Sequence, residues 1–197
     1  MRPNINAIVQ LINYFATQSH FNEIGKLHLL KYVYFADRYH LRKYGRLITN
    51  DTYFAMSYGP VASTTKNIIE FRHPDANGYA RQYLQPVDRN SVRSIAPVDY
   101  DMFSETDREA MRAAKALSVK IRDPVAYTHL FPEWKKHEAR MTSEKSRVKM
   151  DLLDFFNKAP GKVEYCHVEF ELLALNRECF IEDRETLACF FNESNGN

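Results

Sequence analysis

Asp37 and His40 are the residues of this sequence whose spacing comes nearest to a catalytic pair. They lie three residues apart in a segment that is predicted to be helical, so both side chains fall on one helix face and could touch. An Asp–His contact can orient an imidazole for base chemistry or for binding a metal ion. The alternative is a polar pair that fixes helix packing, which we favour because no nucleophile and no third ligand accompany the two residues.

The only tryptophan, Trp134, stands among charged residues between His129 and His137. Tryptophan is enriched at the energetic centres of protein interfaces, so Trp134 is a candidate binding anchor. A ring that packs over the edge of the core is the alternative.

Basic and aromatic residues mix near the end of the same predicted helix, namely Arg38, Tyr39, Arg42, Lys43, Tyr44 and Arg46. Such a set could contact phosphates and stack on bases. The plainer alternative is a solvated helix terminus whose cations complement the helix dipole. No helix-turn-helix pattern supports DNA binding, so nucleic acid is a partner that we keep but do not favour.

Charge is distributed unevenly over the 197 residues, although the net charge is only +2. Residues 1–50 hold seven Lys/Arg against two Asp/Glu, and residues 151–197 hold four against ten. The basic front and the acidic tail either compensate each other within one fold or offer two surfaces to different partners. A length of 197 residues with 45% hydrophobic residues suits one well-cored domain.

The common signatures of enzymes and of exported proteins are missing from the sequence. The glycine-rich phosphate loops, the G-x-S-x-G hydrolase motif and HExxH do not occur. Cys166, Cys179 and Cys189 are widely spaced without a CxxC, which argues against a cysteine zinc site and fits free thiols. No apolar run approaches the roughly 20 residues of a membrane span, and the first residues lack a signal-peptide core. We therefore expect a cytoplasmic protein with no cofactor, no metal and no membrane partner.

Hydrophobic periodicity and capping residues predict a mainly α (α+β) fold, a compact helical domain of six to seven helices with a small antiparallel β-hairpin or sheet. The predicted helices cover residues 5–16, 22–43, 63–71, 105–120, 124–130, 142–158 and 183–192. Extended segments are predicted at 52–58, in a hairpin of 82–87 and 91–98, and over 163–175, where a short helix is the alternative.

The segment from the middle of the second helix to the turn after it has an unusual order of residues. It reads Lys31-Tyr32-Val33-Tyr34-Phe35-Ala36-Asp37, then Tyr44-Gly45-Arg46, Ile48-Thr49, Tyr53, Met56 and Tyr58-Gly59-Pro60-Val61. In this order and spacing the sequence resembles the Panacea domain, an antitoxin domain that includes the SocA antitoxin. Leu47 departs from the proline that many relatives have there. We expect residues 1–145 to form a Panacea-like antitoxin domain, with residues 146–197 as a C-terminal extension packed on it.

The resemblance implies a non-enzymatic antitoxin that neutralises a toxin encoded nearby by direct protein contact. One member of the family delivers its toxin to a protease, so a cytosolic protease is a second implied partner. We expect contact at the exposed edge of the second helix and the following turn, and the candidates are Asp37, His40, Tyr44, Tyr58, Gly59, Pro60 and Trp134. Fold-defining packing is the alternative for each. Two other functions stay open: an operon regulator that binds nucleic acid through the basic first 50 residues, and an enzyme that uses Asp37 and His40.

Overall fold

A computed structural model describes residues 2–143 and 146–194 of the chain. Within them lie eight α-helices: α1 (Ile5–Thr17), α2 (Lys26–Tyr44), α3 (Ser63–Ile69), α4 (Asn77–Tyr83), α5 (Glu105–Lys120), α6 (Pro124–Thr128), α7 (Pro132–Lys135) and α8 (Phe170–Ser194). Six short strands accompany them: β1 (Glu23–Gly25), β2 (Tyr53–Met56), β3 (Gly59–Ala62), β4 (Leu84–Pro86), β5 (Ser91–Ser94) and β6 (Arg147–Lys149). The predicted mainly α fold with a small antiparallel β component is confirmed.

The strands form two antiparallel sheets of three strands each. One sheet has the order β1-β5-β4, and β4 and β5 are the predicted hairpin. The other has the order β3-β2-β6, in which β2 and β3 join through the tight turn at residues 57–58 and Ala55 lies opposite Pro60. This second sheet places the turn of the Panacea-like segment, residues 31–61, against α2.

Helix α2 is the centre of the fold, and α1, α3, α5, α6 and α8 all pack against it. It is buried on several faces and not along one stripe, so its interior side chains include charged ones. The helix ends at Gly45, whose φ of 74° is the left-handed C-cap conformation that glycine adopts without strain. Its side chains therefore meet partners from most of the chain.

The sequence predicted several helix starts correctly because local side chains cap them. The Asn4 side chain accepts from the Ala7 amide at the start of α1. Ser104 and Asp107 form a reciprocal capping box at the start of α5. Asp123 caps α6, where Pro124 occupies the first turn as predicted.

Two predictions for the C-terminal third are wrong. The predicted helix over 142–158 is instead strand β6 followed by a 3₁₀ turn at Leu152–Phe156, with Glu144 and Lys145 outside the described residues. The open edge of β2 recruits β6 through antiparallel pairing, which overrides helix propensity. The predicted strand over 163–175 does not form: the chain is loop up to the start of α8 at Phe170, and the helical alternative holds from there on. The predicted final helix is the second half of that long helix. Helices α4 and α7 were not predicted, and α2 begins at Lys26, after strand β1, instead of at Asn22.

Candidate functional site

The turn between β2 and β3 is locked onto α2 by a buried lysine. Lys31 is fully buried, and its Nζ donates to the carbonyl oxygen of Pro60 at 2.9 Å. Gly59 has a φ of 92°, and a Cβ added there would lie 2.3 Å from Thr128 Oγ1 and 3.0 Å from Lys31 Nζ. Only glycine fits this close approach. Burial lowers the pKa of Lys31 to about 7, because desolvation disfavours the ammonium.

Asp37 organises the loop that follows α2. Its Oδ1 accepts from the backbone amides of Ile48 and Thr49 at 2.8 and 3.1 Å, and its Oδ2 accepts from the Tyr53 hydroxyl at 2.7 Å and from the Thr49 hydroxyl. Burial raises the pKa of Asp37 to about 6, while the hydrogen bonds from Thr49 and Tyr53 act in the lowering direction. Both oxygens are thus occupied inside the fold, as expected for a buried carboxylate.

His40 binds to a different set of groups. Its Nδ1 lies 2.8 Å from the Arg46 carbonyl oxygen, and its Nε2 lies 3.0 Å from Thr106 Oγ1 and 3.2 Å from Asp107 Oδ1. Burial lowers the pKa of His40, which favours the neutral ring. The contact between Asp37 and His40 that their spacing allowed does not form: the loop amides engage Asp37, whereas α5 and the Arg46 carbonyl engage His40.

Tyr44 stands at the half-buried end of α2 beside His40, with ring centroids 4.9 Å apart. Its hydroxyl donates to Glu109 Oε2 at 2.5 Å, and Lys43 Nζ pairs with Glu109 Oε1 at 2.5 Å. The pKa of Glu109 is lowered to about 2, and the hydrogen bond from Lys43 is the largest of the causes. This cluster joins α2 to α5 at the molecular surface.

Trp134 and Tyr58 flank the β2–β3 turn at different depths. Trp134 is 3% exposed, stacks on His129 with ring centroids 3.7 Å apart, and donates from Nε1 to the Met56 carbonyl oxygen at 2.9 Å. Tyr58 is 50% exposed. Trp134 therefore supports the turn from inside the core, whereas Tyr58 is half exposed.

A buried ion-pair network lies next to these groups. Arg38 Nε donates to Glu133 Oε1 at 2.6 Å, and the Tyr34 hydroxyl donates to the same oxygen at 2.6 Å. Arg38 Nη1 pairs with Glu164 Oε1 at 2.7 Å, and the guanidinium carbon lies 4.3 Å from the centroid of the Phe131 ring. Arg38 and Glu133 are both fully buried. The network fastens α2 to α7 and to the loop before α8.

The four cations near the end of α2 are all committed to carboxylates inside the chain. Arg38 pairs with Glu133 and Glu164, Arg42 with Glu164, Lys43 with Glu109 and Arg46 with Asp107. Arg38 and Arg42 are also buried. Phosphate contacts by this set would require breaking those pairs, so the surface offered to nucleic acid is much smaller than the sequence suggested.

The structure divides the predicted site residues into three groups. Gly59, Pro60 and Trp134 surround the turn that carries Tyr58, His40 and Tyr44 form the junction with α5, and Asp37 holds the loop between them. Sequence reasoning did not nominate Lys31, Tyr34 or Glu133 for the site. Lys31, Tyr34 and Arg38 recur at helical spacing along α2. Charged residues in line with an aromatic stripe were therefore the signal in the sequence that could have indicated buried charges.

Residues 29–135 match the family model described as "Antitoxin SocA-like, Panacea domain", which covers more than half of the chain. The chain belongs to this SocA-like Panacea antitoxin family. The buried clusters around Lys31, Asp37 and His40 lie within the matched residues of the Panacea domain, and helix α8 lies after them. No curated protein and no solved structure matches the chain.

Two further observations concern metal binding and membrane-spanning helices. Among the side chains that the structure describes, no three from His, Cys, Asp or Glu are grouped as metal ligands. None of the helices in the described part of the chain combines the length and the apolar character needed to cross a membrane.

Proposed function

We propose that this chain is a non-enzymatic antitoxin that binds a toxin protein in the cytoplasm and neutralises it by direct contact. The observation that carries the proposal is the match of residues 29–135 to an antitoxin family. We further propose that residues 1–145 are the antitoxin domain and that residues 146–197 are an extension packed on it.

The chemistry of the site supports a binding role. Asp37 and His40 were the candidate catalytic pair, and the structure adds Lys31 with its lowered pKa. Each of the three is fully buried and bonded to the surrounding fold. Groups in this arrangement stabilise a loop and a turn. A stable, shaped surface is what a protein that captures another protein requires.

We propose that Tyr58 and Tyr44 contact the toxin, and that the buried candidates hold these two tyrosines in place. The turn of Tyr58 packs beside Lys31. Tyr44 lies thirteen positions after Lys31 in α2, a distance of about 20 Å along the helix axis. Tyr58 and Tyr44 are therefore two separate contact points, and each is tested by its own variant.

Co-expression with the product of the adjacent gene tests the proposal. We expect the chain to rescue growth and to co-purify with that product. Tyr58→Ala and Tyr44→Ala should each weaken the complex, whereas Tyr100→Ala, which truncates a tyrosine 42% exposed on another part of the surface, serves as the matched control. No rescue together with no co-purification would contradict the proposed function.

The lifetime of the toxin in the same cells separates two modes of neutralisation. Occlusion leaves the bound toxin intact, whereas delivery to a protease shortens its half-life. A chase experiment after blocking protein synthesis, with and without the antitoxin, measures the difference.

A further inference from the structure

Helix α8 has one face that is firmly attached to the rest of the fold. Asn176 Nδ2 donates to the Arg42 carbonyl oxygen at 3.1 Å, and Phe180 is 2% exposed against Phe156. Farther along, Arg184 pairs with Asp151 at 3.2 Å. These contacts define the inward face of the helix, so the opposite faces are turned to solvent.

An apolar strip runs along the outside of α8. Leu172 is 39% exposed, Leu175 is 55% exposed, and Cys179 is exposed with a free thiol. At 100° per residue these three side chains fall within a sector of about 60° on the helix. Solvated apolar side chains that line up in this way are typical of a surface that another protein covers.

A stripe of carboxylates lies directly beside the apolar strip. It consists of Glu171, Glu178, Glu182 and Glu185, all exposed, which span another sector of about 60°. None of the four forms an ion pair with any residue in the described part of the chain. The helix dipole accounts for Glu171 in the first turn but not for the other three. Glu178 and Glu182 are four residues apart, where like charges destabilise a helix.

An unpaired negative stripe beside an apolar strip fits a partner segment with the complementary pattern. We propose that the outer face of α8 binds a basic amphipathic segment of the toxin, so this inference rests on the proposed function. Pairing with the same face of a second copy would bring the carboxylates of both copies together. The phosphates of nucleic acids would be repelled in the same way.

Charge reversal on α8 tests the proposal. Glu178→Lys combined with Glu182→Lys is compared with Asp75→Lys combined with Asp101→Lys, which changes the net charge equally at two exposed aspartates on other parts of the surface. Titration calorimetry with the purified product of the adjacent gene measures binding. We expect the α8 variant to bind at least about tenfold more weakly and the control within about twofold of the unaltered chain.

A second pair of variants, one on α8 and one control, tests the apolar strip. Leu175→Ser should weaken binding by about tenfold, whereas Val119→Ser, at a valine 75% exposed on α5, should leave it unchanged. Bound toxin should also slow alkylation of Cys179 in a Cys189→Ser background. Circular dichroism and thermal melting check that each variant is folded.

The outcomes separate the two proposals. If the unaltered chain binds the toxin and both α8 variants bind as tightly as their controls, the docking face is overturned while the antitoxin function stands. If the unaltered chain binds no toxin, the docking face and the antitoxin function both fall.

Discussion

The interior of α2 and the outer face of α8 carry charge in opposite ways. Arg38 is fully buried and meets carboxylates from two other segments, Glu133 and Glu164. Glu178 and Glu182 on α8 are exposed and meet no cation among the described residues. Charges buried together fix which segments pack on each other, whereas charges left in solvent remain free to select a partner.

The energetic consequences differ as strongly as the geometry. Removing one partner of a buried pair leaves an uncompensated ion in a poorly solvated place, which costs about 3–5 kcal/mol. An exposed charge is solvated whether or not it is paired, so changing it costs about 0–1 kcal/mol. The comparison therefore predicts large losses of stability inside α2 and small ones on α8.

Arg38→Met should give the largest effect. We expect the free energy of unfolding to fall by about 3–5 kcal/mol, because Glu133 stays buried without its cation. Urea unfolding measures the loss, and Arg177→Met on the exposed side of α8 is the control, expected within about 0.5 kcal/mol of the unaltered chain. Equal losses of unfolding free energy in the two variants would contradict the contrast between α2 and α8.

Gly59→Ala should come next. The new Cβ would lie 2.3 Å from Thr128 Oγ1, and the φ of 92° is strained for alanine, so we expect a loss of about 2–3 kcal/mol. Gly78→Ala in α4 is the control, because nothing lies within 4 Å of its Cβ position. Thermal or urea unfolding of both variants decides whether the close contact matters.

The pH dependence of stability should report the burial of Lys31. Its folded pKa is about 7, below the roughly 10.4 of an unfolded lysine. Unfolding therefore takes up a proton between these two values, and stability rises with pH across that window. From pH 7 to pH 9 we expect the unaltered chain to gain about 2 kcal/mol relative to Lys31→Met. If the unfolding free energies of the two proteins change with pH in parallel, the Lys31 ammonium is solvated in the folded state and the prediction is wrong.

Neutralising α8 should have the smallest effect on folding. Glu178→Gln with Glu182→Gln should change the free energy of unfolding by no more than about 0.5 kcal/mol, in the stabilising direction, because a like-charge pair is removed. Urea unfolding at low salt is the sensitive measurement. A loss above about 1 kcal/mol would mean that these carboxylates serve the fold.

The sequence predicted elements whose signals are local. The capping box of Ser104 and Asp107 marks the start of α5, and Gly45 marks the end of α2. Both signals act within a few residues of chain, so they can be read without knowing the rest of the fold. The order of residues from Lys31 to Val61 likewise indicated the family that the match over 29–135 confirms.

Where the outcome depended on distant partners, the sequence left it open or predicted it wrongly. Residues 147–149 form a strand because the edge of β2 lies beside them, and no local pattern announces that neighbour. Asp37 and His40 share a helix face at favourable spacing. Asp37 nevertheless binds the loop after α2, and His40 binds the start of α5. Trp134 stands among charges in the sequence, and its ring is buried, which agrees with the alternative of core packing.

The sequence by itself determined the helical character of the chain, several of its helix caps, the presence of a tight turn next to Gly59 and the family. These properties follow from backbone preferences and short-range hydrogen bonds, which the order of residues specifies directly. Only the tertiary structure decided that Lys31, Asp37 and Arg38 are interior while the carboxylates of α8 remain in solvent. Burial and ion pairing depend on which distant segments pack together, and that is a property of the whole fold.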